Sequence, residues 1–107
     1  MFARVVTINC KPGQGKQACK SINDKILPIL KKQQGFLDEM VLVSTTDQDQ
    51  VIAQSFWKTR EDAERYHRDQ FSKIRELIQD MLDSSPEVET YDVDTSTSHR
   101  VASGKAA

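Results

Sequence analysis

The order of strand-like and helix-like segments is the feature that most limits what this chain can fold into. Segments rich in β-branched and aromatic residues predict four strands, at residues 2–9, 36–45, 51–57 and 88–93. Apolar residues at helical spacing predict two helices, over about residues 14–33 and 60–82. The order β-α-β-β-α-β predicts an α+β fold of ferredoxin-like type, in which an antiparallel sheet carries both helices on one face.

Residues within and beside the helices predict their local geometry. Pro28 lies inside the first helix and has no amide hydrogen to donate, so we expect a kink there. Gly35 is expected in the C′ position that ends this helix. Thr59 is expected as the N-cap of the second helix, with the Asp62 carboxylate reaching back to complete a capping box.

Length and charge narrow the class of protein. The 107 residues fit one domain, expected over residues 1–95, followed by a flexible tail over 96–107. The 15 Lys and Arg residues against 16 Asp and Glu leave a net charge of −1, which gives no electrostatic reason to expect nucleic acid as a partner. No apolar run is long enough to span a membrane, and no secretion signal is evident at the N-terminus, so the cytoplasm is the expected location.

The cysteines and histidines do not form a metal-binding pattern. Cys10 and Cys19 lack the spacing of a zinc or redox motif, and His67 and His99 are far apart in sequence. We therefore expect two reduced thiols and no metal site.

Both faces of the predicted sheet are apolar, whereas a sheet with one face in water should alternate apolar and polar residues. In the second strand, Phe36, Met40 and Leu42 alternate with Leu37, Val41 and Val43. In the third strand, Ile52 and Phe56 alternate with Val51, Ala53 and Trp57. Because two helices cover one face only, we expect a homodimer that packs the other face against the same sheet of a second chain. A charge at Val41 or Val43, whichever faces the partner, should split this dimer.

Over residues 2–95 the chain resembles the antibiotic-biosynthesis-monooxygenase-like domains of the dimeric α/β-barrel superfamily. The resemblance depends on the element order and on short motifs at corresponding places: Lys11-Pro12-Gly13, Pro28, Phe56-Trp57-Lys58-Thr59, and Pro86-Glu87-Val88 before Tyr91 and Val93. It implies a homodimer whose two sheets form a barrel, with a small-molecule pocket in each subunit between the sheet and its helices. Family activities include cofactor-independent oxygenation of phenolic or quinol-type molecules, heme degradation and isomerisation, and some members have no known reaction.

Tyr66 is the candidate catalytic residue, because it lies on the inward face of the second helix and its hydroxyl is a possible proton donor. Trp57, at the end of the third strand, is a candidate pocket-lining residue, with packing in the core as its alternative role. The resemblance also implies that Phe71 and Arg75 line the pocket. Quinol-oxidising relatives often carry histidines where Tyr66 and Phe71 stand, and heme-degrading relatives have an iron-ligating histidine near Arg75.

These departures from the catalytic relatives weaken the argument for quinol oxidation and for heme degradation. Arginine stays protonated and cannot ligate iron, and the strand-one Asn of heme-degrading relatives is represented by Val6 here, which makes heme degradation doubtful. Arg4 is a charge in an otherwise apolar strand, either binding an anionic ligand in the pocket or pairing with Glu39 or Asp38. His67 is expected at the surface, turned away from the inward face of its helix.

Two functions remain open from the sequence. One is a cofactor-independent monooxygenase or related oxidoreductase that acts on a small aromatic or quinone-like molecule. The other is a non-catalytic dimeric module that binds a small ligand, which the missing histidines favour. An open pocket between the second helix and the sheet would favour the enzyme.

Overall fold

The computed structural model describes residues 1–99 and residue 101. Its strands are β1 (Phe2–Asn9), β2 (Phe36–Val43), β3 (Gln50–Trp57) and β4 (Glu87–Asp92). Its α-helices are α1 (Gly15–Ser21), α2 (Leu27–Lys31) and α3 (Arg60–Ile78), and a 3₁₀ turn, Gln79–Met81, follows α3. The four strands pair antiparallel in the order β2-β3-β1-β4, with the helices on one face. The predicted ferredoxin-like α+β fold is confirmed.

The first helical segment accommodates Pro28 by changing its hydrogen-bonding pattern. A π-helical turn, Ile22–Ile26, joins α1 to α2, and Pro28 stands in the first turn of α2. A proline there has no amide to donate to the preceding turn, and the π turn stands directly before it, as single π turns do inside α-helices. The interruption expected at Pro28 therefore takes the form of a π turn within one helical path.

The turn after α2 differs from the prediction in one detail. The C-cap of α2 is Lys32, so the C′ residue is Gln33, and Gly35 stands two residues beyond it, immediately before β2. Its φ of +82° still needs glycine, because other residues are strained in that region. A Cβ on Gly35 would also collide with the Asp62 side chain. The turn is therefore packed directly against the start of α3.

Thr59 is the N-cap of α3, as the sequence predicted: its hydroxyl accepts a hydrogen bond of 3.1 Å from the Asp62 amide. The Asp62 carboxylate, however, accepts a hydrogen bond of 2.9 Å from Arg65 instead of reaching back to the Thr59 amide. Half of the predicted capping box is thus present, and the other half is replaced by an ion pair within the helix.

A β-bulge at Leu37 changes which residues of β2 share a face. Phe36 pairs with Trp57 and Asp38 pairs with Phe56, so Leu37 is the extra residue. An extra residue reverses the alternation on one side of the bulge. Phe36 therefore lies with Val41 and Val43 on the helix-facing side, and the prediction that grouped Phe36 with Met40 and Leu42 is wrong.

The core fills the space between the sheet and the helices. Its largest fully buried side chain is Trp57, whose ring packs edge-on against Phe36 at 5.6 Å between centroids. In the described part of the chain, no helix is long and apolar enough to span a membrane. Among the same residues, no cluster of three or more His, Cys, Asp or Glu could hold a metal ion, and Cys10 and Cys19 are free thiols.

The segment after β4 runs back over the face of the sheet that is opposite the helices, here called the far face. The Val93 amide bonds to the Met1 carbonyl at 2.9 Å. The His99 ring stacks on Phe56 at 6.2 Å, and its Nε2 lies 3.3 Å from the Asp38 carboxylate. The start of the predicted tail is thus packed on the sheet, while residues 100 and 102–107 lie outside the described residues.

Candidate functional site

A row of polar side chains crosses the sheet on its helix-facing side. Glu39 on β2 is opposite Ser55 on β3, Ser55 is opposite Arg4 on β1, and Arg4 is opposite Thr90 on β4. The row on one side is aliphatic and the row on the other is largely aromatic, since the next pairs are Val6 with Ala53 and Phe2 with Trp57. Polar groups are therefore concentrated at one level inside an apolar layer.

Three members of this row, Glu39, Ser55 and Arg4, line a narrow cavity between the sheet and the helices. The space in it that water molecules can occupy is small, about 40 Å³, and the wider gap, counted together with open solvent, is about 490 Å³. Its wall is mostly apolar, and its polar or charged lining residues are Arg4, Glu39, Ser55, Tyr66 and Arg75. A mostly apolar pocket with a few converging polar groups is typical of small-molecule sites.

Arg4 is the most unusual of these residues, because it is a cation with only 4% of its surface exposed. One guanidinium nitrogen, Nη2, lies 2.8 Å from Nδ1 of His67. The guanidinium also lies over the rings of Phe71, at 4.5 Å, and Tyr66, at 5.2 Å. No carboxylate of the described residues lies within ion-pair distance of it. Burial lowers the pKa of Arg4, and the nearby Tyr66 partly opposes this shift.

The contact with Arg4 fixes the proton arrangement of His67. A guanidinium can only donate, so Nδ1 of His67 must accept, and the imidazole is neutral with its hydrogen on Nε2. Partial burial and the charge of Arg4 both lower the pKa of His67. His67 is exposed, as expected from its place on the helix, yet it also contacts the site. The predicted pairing of Arg4 with Glu39 or Asp38 is wrong, because the hydrogen-bond partner of Arg4 is His67.

The remaining guanidinium N–H groups of Arg4 have no acceptor among the described residues. No fully buried side-chain nitrogen or oxygen among the described residues lacks a hydrogen-bond partner. The side chain of Arg4 makes one hydrogen bond within that part of the chain, to His67. Its remaining N–H groups therefore reach the cavity, or the outer cleft between α3 and β4 that Arg4 also lines with Phe2, Glu64, His67 and Thr90.

Glu39 lies in the same cavity, two strands away from Arg4. Neighbouring strands are about 4.8 Å apart, which separates the two backbones by roughly 10 Å with Ser55 between them. Burial, and secondarily the charge of Asp38, raise the pKa of Glu39 to about 7. Perturbed acids in cavities are typical of functional sites. Sequence reasoning missed this role, although Glu39 is an acid on an otherwise apolar strand face.

The structure brings four of the five predicted site residues to the cavity wall: Arg4, Tyr66, Phe71 and Arg75. Tyr66 is buried, and burial raises the pKa of its phenol to about 12, so the hydroxyl stays protonated. Trp57 stands behind the wall. Its ring packs on Tyr66 at 5.0 Å, and its Nε1 donates a 2.9 Å hydrogen bond to the Ser55 hydroxyl.

Comparison with known proteins gives one family and several structural neighbours. The family model described as antibiotic biosynthesis monooxygenase matches residues 1–86. A protein of unknown function from Nitrosomonas europaea has a TM-score of 0.76 at 15% identity, covering 90% of this chain and 91% of that one. A conserved protein from Methanosarcina mazei has a TM-score of 0.69 at 24% identity, covering 85% of this chain and 91% of that one.

A third neighbour is a monooxygenase from Streptomyces coelicolor, solved in complex with nanaomycin D. Its TM-score is 0.73 at 19% identity, covering 84% of each chain. No functionally curated protein matches the chain. At these identities the neighbours establish the shared fold, and the family match covers most of the chain.

Proposed function

The chain belongs to the antibiotic biosynthesis monooxygenase family, and from this premise we propose that it is a cofactor-independent monooxygenase of a small phenolic or quinol-type molecule. The observation that carries the proposal is the buried cation Arg4 in the lining of a narrow, mostly apolar cavity, with side-chain N–H groups that no described residue accepts. An electron-rich aromatic ring fits the apolar wall, and a guanidinium in a low dielectric stabilises the oxyanion formed when its hydroxyl ionises.

The reaction needs no cofactor, because the substrate supplies the electrons. An ionised phenol or quinol delocalises its negative charge onto ring carbon, which can react directly with O₂. One oxygen atom enters the ring and the other leaves as water, while the ring is oxidised to the quinone. The structural neighbour from Streptomyces coelicolor holds nanaomycin D, which supports a small molecule as the ligand of this fold.

Oxygen uptake tests the proposed activity. The purified protein is mixed with a panel of naphthols and hydroquinones in an oxygen electrode, and products formed under ¹⁸O₂ are analysed by mass spectrometry. We expect uptake above the uncatalysed rate and one labelled oxygen in the product. Arg4→Met should reduce the rate by about a hundredfold or more, the usual effect of losing an oxyanion-stabilising donor. Absence of uptake with the whole panel would contradict the proposal.

A second candidate function is binding without catalysis. It is favoured by the replacement of histidines that quinol-oxidising relatives carry, since Tyr66 and Phe71 stand at those positions. Neither side chain accepts protons near neutral pH, and the pKa of Tyr66 is raised to about 12. Panel compounds that raise the thermal stability of the protein but cause no oxygen uptake would support this function.

We further propose that the chain acts as a homodimer through the far face. Met40 and Leu42 lie there with 49% and 40% of their surfaces exposed, next to Ile52. Apolar side chains grouped on an open sheet face are a common signature of an interface. The family resemblance, with its paired sheets, supports the same assembly.

A further inference from the structure

We propose that Glu39 is the proton acceptor of this site, and that Arg4 holds the oxyanion produced when Glu39 takes the substrate's hydroxyl proton. This inference rests on the proposed function, because it assigns roles within that reaction. It concerns a residue whose position in the chain carries no recognisable motif.

The first argument is the arrangement of the polar row. Glu39 and Arg4 are at the same level of the sheet, on strands separated only by β3. Both line the cavity. The backbone separation of roughly 10 Å puts the acid and the cation on opposite sides of Ser55. Because water can occupy only about 40 Å³ of the cavity, an aromatic ring binds between them only if the wall side chains move apart.

Ser55 fits the same scheme. Its hydroxyl oxygen accepts the 2.9 Å hydrogen bond from Nε1 of Trp57, which fixes the position of that oxygen. The hydroxyl hydrogen is then left to donate, and the cavity is the open space beside Ser55. Ser55 can thus donate to a ligand oxygen midway between the carboxylate and the guanidinium.

The second argument concerns the groups that line the cavity together with Glu39. From α3 these are Tyr66, which is neutral, and the cation Arg75; from β1 it is Arg4; from β3 it is Ser55. Asp38 is the adjacent charge on its own strand. The first helical segment contributes only apolar side chains, Ile22, Ile26 and Leu30. Burial, and after it the charge of Asp38, disfavour the carboxylate and raise the pKa of Glu39 to about 7, where a carboxylate is a much stronger base than in water.

The step balances within the site. The O–H bond of the substrate breaks, its proton moves to a Glu39 carboxylate oxygen, and the electron pair remains on the substrate oxygen. The net charge of the cavity does not change. The negative charge moves from Glu39 toward Arg4, from a poorly stabilised position to one facing a guanidinium, so the transfer is electrostatically favourable.

Spectroscopy of a bound phenol tests the proposal without catalysis. Under nitrogen and at about pH 8, 2-naphthol is largely neutral in water, as ordinary phenols are. Its anion absorbs at longer wavelength than the neutral form. We expect binding to the native protein to produce the naphtholate band without releasing protons to the medium. Glu39→Gln should lower the band by about tenfold or more, because the acceptor is lost.

Controls separate this effect from general damage. Glu87→Gln, on an exposed position of β4, should leave the naphtholate band unchanged. Circular dichroism and 2-naphthol affinity report whether Glu39→Gln still folds and binds. The band of the native protein should grow with a midpoint near pH 7 and lose that midpoint in Glu39→Gln.

The outcomes distinguish this inference from the proposed function. A naphtholate band equally strong in Glu39→Gln overturns the role of Glu39, and so does naphthol bound in its neutral form. Naphthol ionised on binding, with no oxygen uptake when air is admitted, supports the proton acceptor and counts against the monooxygenase. Failure of 2-naphthol to bind at millimolar concentration overturns both.

Discussion

At the scale of single residues, the cation inside this small domain calls for a physical explanation. Arg4 has neutral neighbours: an acceptor nitrogen of His67 and the faces of Phe71 and Tyr66. These contacts recover part of the hydration that burial removes, but no anion balances the charge in the described chain. The oxyanion role proposed for Arg4 accounts for a cation at this position.

Replacing Arg4 with Met should therefore make the protein more stable and less functional. An apolar side chain of similar length removes an unbalanced buried charge, and such replacements often stabilise by about 1–3 kcal/mol. Urea denaturation measures the change. Arg60→Met is the control, since Arg60 is exposed and its guanidinium lies over Phe2 at 5.4 Å. Loss of stability in Arg4→Met would mean that the contacts of Arg4 outweigh its desolvation.

Glu39 predicts a specific dependence of stability on pH. Its pKa is about 7 in the folded protein against an ordinary 4.5, so the folded state binds more protons than the unfolded state between these values. The contribution of Glu39 to stability is therefore fully present below pH 4.5 and is lost as the pH rises through 7. Glu39→Gln should be more stable than the native protein at about pH 8, by about 1 kcal/mol after allowing for solvent screening.

Parallel urea titrations of the two proteins at several pH values check this. Their difference in unfolding free energy should widen across the window and then stay constant. A constant difference at every pH would show that the Glu39 carboxyl titrates as it does in the unfolded chain.

A substitution at Tyr66 distinguishes a catalytic role of this residue from a packing role. Tyr66→Phe removes a hydroxyl that makes no hydrogen bond to the described residues, so unfolding free energy should change by less than about 1 kcal/mol. If the hydroxyl donates a proton during turnover, oxygen uptake should fall by about a hundredfold. Uptake measured at saturating substrate tests this. Unchanged uptake would leave Tyr66 only the role of an aromatic wall beside Trp57.

Much of this site could be predicted from residue type and helical spacing. Tyr66 belongs on the inward face of its helix, and a lone arginine among valines and isoleucines marks a buried strand face. Glu39 could not be assigned in the same way, because its partner row depends on strand register. Register follows from hairpin geometry and the bulge at Leu37, which hydrophobic patterns do not encode.

At the scale of secondary-structure elements, the turn between α2 and β2 depends on a close contact with the start of α3. Gly35 has a φ of +82°, its carbonyl accepts the Lys58 amide at 2.8 Å, and the Asp62 side chain occupies the space where a Cβ would be. Gly13 has nearly the same φ, +81°, with open space around it. The two glycines share this backbone conformation and differ in the space around the Cα, so they form a matched pair for testing packing.

Gly35→Ala should therefore destabilise the protein more than Gly13→Ala. Both add the strain of a left-handed conformation, about 1 kcal/mol. Gly35→Ala must also displace the Asp62 carboxylate and disturb its ion pair with Arg65, and we expect a total of about 2–4 kcal/mol. Thermal and urea unfolding of both variants give the comparison. Equal destabilisation would mean that α3 shifts to make room at no measurable cost.

The elements also show where sequence patterns are insufficient. Strand and helix positions follow from periodicity and β-branched content, and Thr59 is a reliable N-cap signal. The π turn before Pro28 and the bulge at Leu37 each alter the backbone by one residue. Such changes leave composition and periodicity almost intact, yet they decide which side chains share a face.

At the scale of the whole molecule, the two faces of the sheet carry different features. The helix-facing side holds the polar row and the cavity, and the far face carries exposed apolar side chains around Met40 and Leu42. His99 and its neighbours lie over the Phe56 end of the far face and leave the Leu42 end uncovered. A second copy of the sheet is a cover that matches this shape by symmetry.

The last prediction tests this assembly with two neighbouring residues of β2. Leu42 and Val43 are similarly exposed, at 40% and 48%, but Leu42 points to the far face and Val43 to the helix-facing side. Because Val41 and Val43 both lie on the helix-facing side, the position that tests the proposed far-face interface is Leu42. Leu42→Glu should weaken a homodimer by several kcal/mol, because it buries an unpaired charge. Val43→Glu should leave association unchanged. Sedimentation at micromolar concentration reads out both, and a native protein that sediments as a monomer would refute the dimer.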